Sequence, residues 1–156
     1  KNHPRYPYHL LREEMQEFIL DKLQLLIERK LIKGIGENGT EYTVIAQILD
    51  LPKEILRLIQ KFDFTKKNPK LIYINTGETM ISLQDSILVT FLNLAGFDIL
   101  FFVPTGYQSV ENYFAEKLME EHQIGEYKYD MQVPDLNNIS TNSTRPSWRR
   151  KLFRRG

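Results

Sequence analysis

Two Thr-Gly pairs are the residues in this chain best suited to hold a ligand: Asn75-Thr76-Gly77-Glu78-Thr79 and Pro104-Thr105-Gly106-Tyr107. A threonine hydroxyl both donates and accepts hydrogen bonds. A glycine lets the backbone, with its N–H groups, come close to a bound molecule. Helices beginning soon after each turn would add positive dipole ends, which favour an anion such as phosphate. Glu78 repels bare phosphate and instead suits ribose hydroxyls or a bound cation. Glu111 lies just beyond the second turn. It can face the same crevice or complete a capping arrangement with Gln108 or Ser109. The ligand reading is thus a nucleotide or phosphorylated small molecule on Thr76, Gly77, Glu78, Thr79, Thr105, Gly106, Tyr107 and Glu111. The plainer reading is a pair of ordinary strand-to-helix turns, where Gly and Thr are common.

Other chemistries find less support. Neither turn is a Walker loop, because no Gly-Lys-Ser/Thr follows. The chain has no cysteine, which removes disulfides, thiol catalysis and thiolate metal sites. His3, His9 and His122 lack ligand spacing, so no metal site is expected. No serine has a recognisable histidine and acid partner. No catalytic residue and no cofactor can be named from the sequence. Gly34, Gly36 and Gly39 imitate a dinucleotide-binding fingerprint but follow a helical pattern rather than a strand, so they read as a helix-helix connection.

The Thr-Gly pairs end two apolar runs, 71–74 and 99–103, of strand length. Runs apolar at nearly every position suit parallel strands covered on both faces. Between them, residues 82–94 place Leu83, Ile87, Leu88, Phe91, Leu92 and Leu94 at helical spacing. Ser82 with Asp85 reads as a capping pair, and Ala95-Gly96 as the stop. The pattern predicts a β-α-β crossover whose strands lie side by side, with both Thr-Gly pairs at one edge, where open α/β sheets bind ligands. Asp98 opens the second strand at the opposite end and reads as structural. A second helix is expected over 109–121, with Val110, Tyr113, Phe114 and Leu118 buried. Residues 127–133 alternate aromatic and polar residues, as an edge strand or an extended strap would.

Before this unit the pattern is helical. Residues 10–33 put Leu11, Met15, Phe18, Ile19, Leu23, Leu26 and Ile27 on one face, with acids early, bases late and Gly34 as a plausible stop. Two shorter helices are expected over 43–49 and 53–62, punctuated by Pro52. They pack as plain helices, since only Lys53, Arg57 and Lys61 would face nucleic acid. The expected class is α/β: an N-terminal helical subdomain (1–63), a Rossmann-like parallel β-α-β-α unit (70–136) and a flexible basic tail (137–156).

Of 156 residues, 42% are hydrophobic and 26% charged, as in an ordinary soluble protein. The lack of any membrane-spanning run, signal peptide or cysteine fits a cytoplasmic setting. The chain begins at Lys1 and reads as part of something longer. Arg145, Arg149, Arg150, Lys151, Arg154 and Arg155 lie in a tail without acids. Removing those six cations from a net +1 leaves −5 for residues 1–144, so a basic nucleic-acid-binding body is not supported. With Trp148, Leu152 and Phe153 the tail could place the protein peripherally on an anionic membrane or dock a protein partner. The plainer alternative is a solvated terminus.

Phe-Asp-Phe at 62–64, Pro-Lys at 69–70, Leu-Ala-Gly-Phe-Asp-Ile-Leu at 94–100, Pro-Thr-Gly-Tyr at 104–107, Val-Glu-Asn-Tyr at 110–113 and Val-Pro-Asp-Leu at 133–136 resemble the C-terminal part of the YceG-like family. That resemblance implies a bacterial stress-response protein encoded beside tellurite-resistance genes, and a component of a biosynthetic module. It implies no catalytic residues. The alternative class is a non-catalytic interaction module using the helical subdomain and the basic tail.

Overall fold

The computed structural model of the chain describes residues 3, 6–61, 67–77, 81–107 and 110–133. Four helices and two strands follow in order: α1 (Glu13–Glu28), α2 (Thr40–Ile48), α3 (Lys53–Lys61), β1 (Lys70–Ile74), α4 (Leu83–Leu94) and β2 (Asp98–Phe102).

The apolar stripe of α1 lands where its spacing dictates, with Met15, Ile19, Leu23 and Leu26 buried. The helix ends earlier than expected. Lys30, not Gly34, takes the left-handed position after the C-cap, at φ 49°. Its N–H donates to Ile27 O and that of Leu31 to Leu26 O, the paired bonds of a Schellman ending. The glycines at 34, 36 and 39 all have positive φ in the connection to α2.

α4 occupies the centre. Ser82 caps it: its hydroxyl oxygen accepts from Asp85 N at 3.0 Å, and its O–H donates to Asp85 Oδ2 at 2.7 Å. The cap therefore forms with aspartate in the place usual for glutamate. At the other end Gly96 N bonds Asn93 O and Phe97 N bonds Leu92 O, with Gly96 at φ 99°. Ile87, Phe91 and Leu92 are fully buried, and α1 and α2 pack against this helix. Ser86 and Thr90 are buried too, but each hydroxyl donates to the carbonyl one turn back, so neither hydroxyl is stranded. One apolar core runs from Tyr6 and Tyr8 through α1, α2 and α4 to Val110 and Phe114.

β1 and β2 pair in parallel, Leu71 opposite Ile99 and Ile74 opposite Phe102, with α4 as the crossover. The β-α-β core of the expected unit is therefore present. Leu71, Ile99 and Phe101 face the core, and Tyr73 stacks on Phe101 with centroids 5.0 Å apart. The outer face differs from expectation. Ile72, Ile74, Leu100 and Phe102 are 40–58% exposed. Among the described residues the helices cover one side of the sheet only.

One further expectation is corrected, and another is decided between its two alternatives. Residues 110–121 form turns and irregular backbone, not a helix. Their apolar side chains are held by the loop after α1: Ile32 bridges Phe114, Lys33 N donates to Tyr113 O, and Ala115 N to Leu31 O. Long-range backbone bonds thus replace the i→i−4 bonds a helix would need. Residues 127–133 form no strand and run as an irregular strap, joined to the sheet end by Lys128 N donating to Pro104 O at 2.8 Å. The basic tail lies outside the described residues.

Candidate functional site

The parallel register brings the carboxyl ends of β1 and β2 together. Asn75 N donates to Phe102 O at 2.9 Å, so the chain leaves both strands at the same edge. Thr76 and Gly77 follow β1, and Thr105, Gly106 and Tyr107 follow β2. These five expected site residues share one end of the sheet. Glu78 and Thr79 lie outside the described residues. Glu111 is half-buried and lines the groove that opens beside the second turn.

Each turn satisfies its own backbone. Gly77 N donates to Asn75 Oδ1 at 3.3 Å. Gly106 N donates to Val103 O at 3.0 Å, and Tyr107 N to Thr105 Oγ1 at 3.3 Å. Three N–H groups that could cradle a phosphate are thus engaged within the chain. Thr105 is buried, and its hydroxyl, while accepting from Tyr107, still has a proton to donate.

Gly106 carries φ 69°, a conformation natural to glycine. The close approach it permits is used by this chain itself: a Cβ at Gly106 would run into the Tyr127 ring. Sequence reasoning did not connect these residues, because nothing in the 127–133 pattern says which turn it crosses. No helix forms in residues 110–121, so the second expected dipole end is missing from the described edge. The first dipole, that of α4, already has Asp85 in its first turn.

Charge on the edge is negative. The groove beside β2 has a volume of about 1240 Å3, and Glu111, Glu116, Glu120, Glu121 and Glu126 line it against Arg29 and Lys128. Burial chiefly, with Asp85 nearby, pushes the Tyr73 phenol above its ordinary pKa, keeping it neutral beneath the edge. At the opposite end, Asp98 is held below the usual carboxylate range by its hydrogen bond from Lys70 at 2.6 Å and by Asn68. That exposed pair sits where both strands begin, away from the Thr-Gly edge. Among the described residues no three His, Asp or Glu side chains are grouped to hold a metal ion, and no helix is long and apolar enough to cross a membrane.

The sequence pattern of the YceG domain matches residues 1–144. A curated relative, protein YceG of Bacillus subtilis (strain 168), is 31% identical over 93 residues. That match covers 58% of this chain and 17% of the relative, so the chain spans a small part of the relative's length. No solved structure matches. With the domain pattern running through every described element, the chain belongs to the YceG-domain family.

Proposed function

We propose that this chain is a ligand-binding α/β part of a longer YceG-type protein, its site the shared end of β1 and β2. The observation that carries this reading is the parallel pairing that sets Thr76-Gly77 beside Thr105-Gly106. The ligand class is a nucleotide or phosphorylated sugar, held through its hydroxyl-bearing portion. Engaged turn N–H groups and an acidic surround disfavour grip on the phosphate. The Thr105 hydroxyl, which keeps a proton to donate, suits a sugar hydroxyl. On this reading the sheet is the start of a Rossmann-like unit, and the setting is the bacterial stress response linked with tellurite resistance and a biosynthetic module.

Thermal shift with nucleosides, nucleotides, sugar phosphates and inorganic phosphate tests it. Nucleosides or sugars should raise Tm and inorganic phosphate should not. Thr105→Val should remove that shift at a stability cost of about 1 kcal/mol. Equal shifts for parent and variant, or none from any compound, would make the edge a pair of turns.

A second reading, docking of further polypeptide, is favoured by the exposed Ile72, Ile74, Leu100 and Phe102. Parallel sheets bury both faces. Further α/β segments of a YceG-length chain are the fitting cover, since most of the curated relative's length lies outside the match.

A further inference from the structure

The groove beside β2 is more than an apolar cleft. Its floor includes Leu94, Ile99, Phe101, Val110 and Leu118. Backbone bonds from Asp98 N to Pro69 O and from Asn75 N to Phe102 O show which residues of β2 face β1. By the alternation of a parallel ladder, the N–H and C=O groups of Ile99 and Phe101 face the other edge, into the groove. Among the described residues nothing hydrogen-bonds them. An unpaired edge above an apolar floor suits a peptide, which supplies both backbone bonds and side chains.

The rim states what kind of peptide. Glu116, Glu121 and Glu126 are exposed and have no cationic partner among the described residues; Glu120 meets only His122, at 3.6 Å. The matching chemistry is basic residues interleaved with large apolar ones. This chain contains that segment: residues 145–156, with six cations, no acid, Trp148, Leu152 and Phe153. It falls outside the match to the YceG domain pattern, which stops at residue 144.

We infer that the basic C-terminal segment docks in cis into the acidic-rimmed groove beside β2. Reach permits it: Met131 lines the groove, and any chain can span at most about 3.3–3.6 Å per residue between there and Arg145. A short tether holds the segment at an effective concentration on the order of millimolar, so modest affinity populates the docked state. The acidic rim also competes with anionic lipid for the same cations.

Trp148 is the only tryptophan, so its emission reports the segment directly. The experiment compares acrylamide quenching of Trp148 in the full chain with that in a free peptide of residues 145–156. The docked state predicts severalfold weaker quenching in the chain, a blue-shifted emission, and a return towards the peptide's value at 1 M salt, where the Debye length is about 3 Å. A triple variant of the same chain, Glu116→Lys, Glu121→Lys and Glu126→Lys, should quench like the peptide while keeping the parent's far-UV circular dichroism. The substituted positions are exposed, so the fold survives. Parent-like protection in that variant overturns the inference. So does a Trp148 in the parent as accessible as the peptide's; a blue shift appearing only with anionic vesicles would then assign the tail to membranes. Protection that fades on dilution would place the segment on a second copy and overturn docking in cis.

Discussion

Phe91 on α4 and Leu100 on β2 are both large apolar residues of the crossover unit, in opposite surroundings. Phe91 is completely buried, and Leu100 is 53% exposed. Around Phe91 the polar groups are satisfied locally: the Ser82 cap, the Schellman ending at Gly96, and the Ser86 and Thr90 hydroxyls. Around Leu100 an apolar face lies open, and one strand edge has no described partner. On the proposed reading, further polypeptide covers that open face. The largest predicted effect tests this contrast. Phe91→Ala should cost about 3–5 kcal/mol, a large fraction of the stability of a domain this size. Leu100→Ala should cost less than about 0.5 kcal/mol. Urea denaturation measures both. Equal losses would mean that the outer sheet face is buried in solution, and the contrast would fail.

The same contrast explains what the sequence conveyed. Helix α4 was legible because its stripe, cap and stop are all local signals: Ser82, Asp85, Phe91 and Gly96 lie within five turns of chain. The parallel pair was legible because an apolar run, a helix and another apolar run leave few other topologies. Residues 110–121 misled because Val110, Tyr113, Phe114 and Leu118 fit helical spacing, yet their backbone is claimed by Leu31, Ile32 and Lys33, far away in sequence. Strand burial misled because an apolar run shows only that both faces prefer burial, not that this chain provides it. At the site, the edge itself was predictable. That Tyr127 fills the space Gly106 leaves was not, since it depends on where an irregular strap crosses.

A pair of tyrosines gives the next, smaller test. Tyr8 is buried; its hydroxyl donates to Ile48 O and accepts from Leu51 N at 3.0 Å, tying the N-terminal segment to the turn between α2 and α3. Tyr127 is 55% exposed. Tyr8→Phe leaves a buried carbonyl and N–H unpaired and should cost about 2 kcal/mol, whereas Tyr127→Phe should be within about 0.5 kcal/mol of the parent. Burial, above all, raises the Tyr8 pKa in the folded protein. Its contribution is therefore complete below the unfolded value near 10 and is lost as pH rises beyond it, because only the unfolded chain ionises readily. Chemical denaturation between pH 8 and 11 should show the parent losing stability faster than Tyr8→Phe. Some decline should remain in the variant, since Tyr73 is raised for the same reason. Identical slopes would mean that the Tyr8 phenol is solvated.

The smallest effect comes from two residues with left-handed backbone, one in each region. Lys30 holds φ 49° at the end of α1, and Gly106 holds φ 69° after β2. A side chain in this conformation costs roughly 1–2 kcal/mol, and glycine escapes that cost. Glycine also adds disorder to the unfolded chain, worth about 0.4–1 kcal/mol in the opposite direction. Lys30→Gly should therefore stabilise by about 0.5–1 kcal/mol. Its Schellman bonds need only the backbone, so the helix end is kept. Gly106→Ala carries the reverse balance and adds a methyl group against the Tyr127 ring, so it should destabilise by about 1 kcal/mol. The ring belongs to an exposed strap and can move. Gly106→Ala should thus be largely insensitive to a second change, Tyr127→Ala, if backbone strain dominates. If removing the ring restores most of the lost stability, the contact dominates, and the strap is held to the strand ends more firmly than its exposure suggests. Thermal and urea melts of the four proteins decide between these outcomes.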